Sequence, residues 1–136
     1  MANAAAISWL EAQASANPVA WLTDNIKVAI LSSAYVFSSA HDFFNDISAD
    51  VLGSVALSGK SCTSGVLDAA DSVVAGVLAS PANSLWIYKD TGTPSSSQLI
   101  LFFDTGIGFG QTPTGDTTII WPNDANVKIF PLGGKP

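Results

Sequence analysis

The sequence predicts a mainly β fold: an antiparallel β-sandwich or partly open barrel of seven to eight strands, with a short N-terminal helix. Three observations lead there. Leu85–Phe103 (LWIYKDTGTPSSSQLILFF) holds two apolar, β-branched and aromatic runs broken by Asp90, Gly92, Pro94 and Ser95–Ser97, which reads as a β-hairpin with a long tip. The same rhythm of short apolar runs and turn residues recurs over most of the chain. Only one segment repeats its apolar residues at helical spacing.

That segment is 3–16 (NAAAISWLEAQASA), dominated by alanine, with Ile7, Leu10 and Ala14 in helical register and Trp9 beside them. Asn17-Pro18 ends it, because a residue before proline avoids the helical region. A helix this short is marginal alone, so it must pack on the body, a neighbouring subunit or an underlying surface. Residues 1–18 are accordingly read as a helical arm and 19–136 as a single β-sandwich domain.

Trp21–Asn25 is a turn leading into the strand Ile26–Ser32. Its alternation is imperfect, as expected of a strand covered mostly on one face. Tyr35–Phe37 follows. In Ser38–Ser48, Ser38 or Ser39 is placed to cap one helical turn carrying Phe43 and Phe44 inward. From residue 50 onward the pattern is β throughout, with strands over Val51–Leu57, Ser61–Leu67, Ser72–Leu78, Leu85–Lys89, Leu99–Asp104, Thr117–Trp121 and Val127–Leu132. The tail Pro131–Pro136 is too rich in Gly and Pro for regular structure.

Hydrophobic residues make up 48% of the chain and charged residues 12%. The charged share is about half that of an ordinary soluble domain. One reading is a surface covered by other chains in a homo-oligomer or larger assembly. The other is a monomer kept soluble by Ser, Thr, Asn and Gly. Eleven carboxylates stand against five lysines and no arginine. Lys27, Lys60, Lys89, Lys128 and Lys135 are scattered along the sequence, which disfavours nucleic acid as a partner, and an acidic membrane surface would repel the chain. No apolar run approaches a membrane span, and Ala12–Ala16 lacks the basic and apolar stretches of a signal peptide.

No constellation reads as catalytic. Cys62 has no partner for an internal disulfide and is expected as a small buried strand residue. His41, with Asp42 and Asp46, is the one acid–histidine cluster, read as a surface histidine beside a short helix. One His and one Cys cannot supply a zinc site. Asp68, Asp71, Asp104, Asp116 and Asp124 fall in turns, but without the spacing of a calcium loop. The two Asp-Thr-Gly triplets, Asp90–Gly92 and Asp104–Gly106, share the aspartic-protease triplet, yet Thr93 and Ile107 follow where Ser or Thr is usual after a catalytic one. Asp104–Gly110 (DTGIGFG) has no following helix to face a phosphate. The expectation is no enzyme, no catalytic residue, no metal and no cofactor.

Several blocks in order resemble small virion proteins of tailed bacteriophages. They are Trp21–Leu31 (WLTDNIKVAIL), Ala40–Ser48 (AHDFFNDIS), Leu57–Lys60 (LSGK), Ile87–Thr93 (IYKDTGT), Leu99–Gly106, Ile119–Trp121 and Asn126–Phe130, together with the start Met1–Ala4. The likeness spans roughly residues 20–132, while the alanine-rich segment and Pro18 depart from the family's usual amino terminus. What the resemblance implies is a capsid decoration or cement protein. It would be made in the bacterial host cytoplasm and located on the virion capsid surface. Its partners would be the major capsid protein and its own copies, as a trimer by analogy. A tail- or neck-associated structural or receptor-recognition domain is the alternative, contacting a host glycan through Trp86, Tyr88 or Trp121. The interface candidates are Trp9, Leu10, Trp21, Phe43 and Phe44, each of which could equally pack in the core.

Overall fold

The computed structural model describes residues 4–6, 19–63, 66–77, 81–104, 115–121 and 130–131. The chain runs through β1 (Ala4–Ala5), β2 (Ile26–Ser32), two 3-10 turns (Phe44–Asp46 and Ser48–Asp50), β3 (Val51–Ala56), β4 (Ser61–Thr63) and β5 (Val66–Asp68). It continues through β6 (Ser72–Val77), β7 (Ala82–Lys89), a third 3-10 turn (Pro94–Ser96), β8 (Leu99–Phe103), β9 (Gly115–Ile119) and β10 (Phe130–Pro131). All described pairings are antiparallel.

The principal sheet has the order β1-β8-β7-β2-β3. β2 is its axis, with Val28 opposite both Val55 of β3 and Ile87 of β7. Because side chains alternate across a strand, the register sorts the sheet into two faces. One face carries Val28, Ile30, Gly53, Val55, Leu85, Ile87, Leu101 and Phe103, and the other carries Lys27, Ala29, Ser54, Trp86, Tyr88 and Phe102.

The first face packs on the two-stranded ribbon β6–β9. A Cβ built on Gly53 would lie 3.0 Å from Val74 Cγ1 and 3.3 Å from Val77 Cγ2, so β3 and β6 meet there backbone to side chain. The Phe103 and Trp121 rings meet at 6.0 Å. The opposite face is covered by the connection 33–50, whose Tyr35, Phe37 and Phe44 lie over Trp86, Tyr88 and Phe102. A third small sheet, β10-β5-β4, contributes Leu67 to the same contiguous core. The architecture is therefore a mainly β, sandwich-like one, as the alternation predicts.

The strand Ile26–Ser32 and the hairpin β7–β8 fall where the sequence places them. Three expectations are corrected. Ala4–Ala5, near the start of the predicted helix 3–16, are extended and pair with Phe102 and Leu101, and Ala6 N–H continues the ladder to the Ile100 carbonyl; residues 7–18 lie outside the described residues. Alanine's helix propensity is a weak prior, and an open edge on β8 outweighs it here. Ser61–Leu67 is two paired strands, with Cys62 opposite Leu67 and exposed, not buried. Neither Ser38 nor Ser39 caps the turn that starts at Phe44. Instead Ser38 Oγ accepts the Ala40 N–H, and the Asp46 carboxylate reaches back to the Asp42 and Phe43 N–H groups.

Candidate functional site

Trp86, Tyr35 and His41 form a chain of side-chain contacts between the principal sheet and the loop over it. β7 presents Trp86 on the sheet face under the loop, and the Trp86 indole N–H donates to Tyr35 Oη at 3.0 Å. Tyr35 Oη lies 2.7 Å from His41 Nδ1. The phenol can donate to Nδ1 or accept from it, according to which ring nitrogen of His41 carries the proton. Burial pushes the Tyr35 phenol above its usual range, with Asp46 and Asp50 adding to the effect, against the lowering by Trp86 and Ser38. The phenol therefore stays protonated.

Aromatic packing completes this layer. Phe37 stacks on Trp86 at 6.1 Å and tilts onto Phe102 at 4.8 Å, while Phe44 lies on Tyr88 at 4.5 Å. The loop's ends are tied by backbone bonds from Ser33 N–H to the Pro81 carbonyl and from Leu99 N–H to the Asp42 carbonyl. Between those ties the side chains hold it. Sequence reasoning missed this layer, since Tyr35 and Trp86 are 51 residues apart and no local pattern joins them.

A second cluster sits where β2 begins and β7 ends. Lys27 pairs with Asp90 at 2.9 Å, Lys89 with Asp24 at 3.1 Å, and Lys60 donates to the Asp24 carbonyl oxygen. Three lysines scattered in sequence thus converge through the sheet. Burial raises the Asp24 pKa, but the Ala20 N–H and Lys89 together bring it below the usual carboxylate value. The Gly92 N–H, then Lys27, does the same to Asp90. All three lysines already have partners, and the cluster reads as the clamp that closes this end of the sheet.

Of the predicted interface residues, Trp21 is buried and its indole N–H donates to the Ser61 carbonyl at 3.1 Å. Phe43 and Phe44 are both half-buried, Phe43 bridging to Gln98 through its backbone and Phe44 packing on Tyr88. Trp9 and Leu10 lie outside the described residues. Trp86, Tyr88 and Trp121 are all buried, and the Trp121 indole donates to Ser72 Oγ at 3.1 Å. A glycan contact through those three aromatics is therefore withdrawn. Large exposed apolar side chains lie elsewhere: Leu22 at 58%, Val36 at 78%, Val73 at 51% and Ile120 at 56%. Alternation in β6 was the available signal for Val73, because two adjacent valines cannot share one face.

The carboxylates named for chemistry have local roles. Asp90 Oδ1 accepts the Gly92 N–H at 2.9 Å, where φ of 86° makes glycine the fitting residue. Asp71 Oδ1 accepts the Trp121 N–H at 2.9 Å. Among the described residues no three His, Cys, Asp or Glu side chains come together as a metal site would require. No helix among them is long and apolar enough to cross a membrane. Compared with protein-family models and with curated proteins, the chain matches none.

Proposed function

We propose that this chain is a structural protein of a tailed-phage virion, a decoration or cement protein that binds the assembled head shell and stabilises it. The observation that carries the reading is the ordered resemblance over roughly residues 20–132, seven blocks in succession. The architecture supports it in one respect. The organised polar groups of the described residues hold loops and strands together, whereas apolar side chains stand out on the surface.

A cement protein needs contact area, a shape and an oligomeric state matched to the lattice. It stabilises the shell because it binds assembled subunits and not free ones, which shifts the equilibrium by mass action. Val73 and Ile120 suit such contact. They lie on the outward face of the β6–β9 ribbon, where Val73 opposes Thr118 and Ile120 continues the alternation of β9. The partners proposed are the major capsid protein and two further copies of this chain.

The test uses purified chain and expanded shells lacking it. Light scattering should give a trimer mass, and the protein should co-sediment with shells and raise their disruption temperature. Val73→Lys with Ile120→Lys should keep the circular dichroism spectrum and weaken trimer or shell binding. A monomer that leaves the shells unoccupied would end the proposal.

A further inference from the structure

The two edges of the principal sheet differ. The outer edge of β8 is covered along its length: Ala4 and Ala5 pair with Phe102 and Leu101, and the Ala6 N–H donates to the Ile100 carbonyl. Further along, the Leu99 N–H donates to the Asp42 carbonyl and the Phe44 N–H to the Ser97 carbonyl. The other edge is β3, and among the described residues no backbone group bonds to its outer side. A bare strand edge is a template for another chain, and folded proteins ordinarily blunt it with charge, proline or a cover. Val51–Ala56 (VLGSVA) carries no charge and no proline. Its bulge lies at the Val51 end, opposite Ile30 and Leu31, and leaves Gly53–Ala56 in regular register.

The ladder shows which groups face outward. The Leu57 N–H donates to the Ile26 carbonyl, so these two residues are a hydrogen-bonded pair, and antiparallel alternation makes Val28 with Val55 and Ile30 with Gly53 the next ones. Ser54 and Ala56 therefore turn their N–H and C=O groups away from β2, and they are the exposed residues of β3. None of its residues is buried, although Val51, Leu52 and Val55 pack against the core. Charge is unequal along the edge. Asp46 and Asp50 precede the strand. At its far end Lys27 stands opposite Ala56 and Lys60 follows, where three lysines, Lys27, Lys60 and Lys89, meet two carboxylates, Asp24 and Asp90.

We propose that β3 is a docking edge for a second copy of this chain, which adds its own β3 antiparallel about a two-fold axis, so that the principal sheet continues across both copies. Such a contact uses the same residues on both sides. Ser54 and Ala56 of each copy supply the new ladder, and a neighbouring strand comes to lie beside the part-exposed Val51, Leu52 and Val55. Charge order selects this occupant. Antiparallel alignment brings the Asp46–Asp50 end of each copy to the lysine end of the other, whereas parallel addition in register would set like charge beside like. The edge thus carries its own complement. The contact joins whatever species the rest of the surface builds, so this inference is independent of the virion reading and of its trimer.

Sedimentation velocity of the full chain over about a thousandfold range of concentration tests it. Wild type should associate beyond its smallest species as concentration rises. Ala56→Pro removes an outward N–H and spares the ladder to β2, so its circular dichroism spectrum should hold while the association constant falls at least about tenfold, the equivalent of one lost hydrogen bond. Asp50→Lys and Lys60→Glu should each associate poorly alone, because each sets like charges together. Mixed in equal amounts they should recover, because the mixed pair has opposite charges at both ends. The same mass for wild type and all three variants at every concentration overturns the proposal. Association that survives in the unmixed charge variants also overturns it and moves the contact elsewhere, as does loss in both with no recovery on mixing.

Discussion

Replacing Gly53 with alanine tests the closure of the sandwich with a single methyl group. The new Cβ would lie 3.0 Å from Val74 Cγ1, 3.3 Å from Val77 Cγ2 and 3.7 Å from Val77 Cα. Carbon atoms rest comfortably at about 3.5–4.0 Å, so two of these contacts are too close. Val74 and Val77 are themselves buried and have little room to retreat. Overpacking of this kind costs about 1–3 kcal/mol. Against it stands a gain of about 0.4–1 kcal/mol, because alanine leaves the unfolded chain fewer conformations, and Gly53 has no positive φ to forbid the exchange. The clash wins, and Gly53→Ala should lose about 1–2 kcal/mol. For a chain of this length that is a fall of roughly 4–8 °C in Tm.

Urea unfolding of four proteins measures this: wild type, Gly53→Ala, Val74→Ala and the double variant. Val74→Ala alone removes two buried methyl groups and leaves a cavity, which is destabilising in its own right. Combined, the incoming methyl of residue 53 enters the space Val74 vacated. The double variant should therefore be more stable than the sum of the two losses predicts, by about 1 kcal/mol. Strict additivity, or a Gly53→Ala protein as stable as wild type, would refute the packing of β3 on β6. The whole assignment of one sheet face to the β6–β9 ribbon would go with it.

Two further outcomes follow from single groups. Ser84 Oγ is buried on β7 without a hydrogen-bond partner among the described residues, so Ser84→Ala removes an unmatched polar atom. It should leave stability unchanged or raise it by up to about 1 kcal/mol in urea, whereas a clear loss would mean the hydroxyl is satisfied. The Asp90 carboxyl is held below its usual range by the Gly92 N–H and then Lys27. A depressed folded-state pKa contributes stability that is complete above the unfolded value and is lost as pH falls through the folded one. Asp90→Asn keeps an acceptor for Gly92 and removes the charge. It should be less stable than wild type near about pH 6, and the gap should narrow as pH falls below about 4.

Legibility followed the range of the signals. The strand Ile26–Ser32 and the hairpin Leu85–Phe103 were readable because each is an apolar run bounded by turn residues, a signal contained in one window. The split of Ser61–Leu67 was missed, although the sequence carries a signal for it in Ser64-Gly65, a dipeptide of turn-forming type. The strand at Ala4–Ala5 was not: its cause is the edge of β8, nearly a hundred positions away. The same holds for both polar clusters. Lys27 and Lys89 come together because β2 and β7 are neighbours, Lys60 joins them through Asp24, and Tyr35 reaches Trp86, 51 residues away in sequence, because the loop lies over the sheet. Phe43 and Phe44 were both expected to point inward, and of the two it is Phe44 that packs against the core, on Tyr88.

The scarcity of charge has to be weighed again in this light. Composition alone invites the conclusion that neighbouring chains cover the surface. Much of the apolar share has a nearer explanation, because the principal sheet is covered on both faces. β2 buries five of its seven residues, and β7 buries six of eight. A strand covered twice reads as a continuous apolar run whether or not its chain has partners. What composition cannot absorb is the residue-level exception: Val73 and Ile120, large, apolar and half exposed on one outward ribbon face. The case for contact with other copies or with a shell therefore rests on those side chains and on the bare edge of β3. That is why the paired lysine substitution, which leaves the core untouched, separates assembly from folding where a count of hydrophobic residues does not.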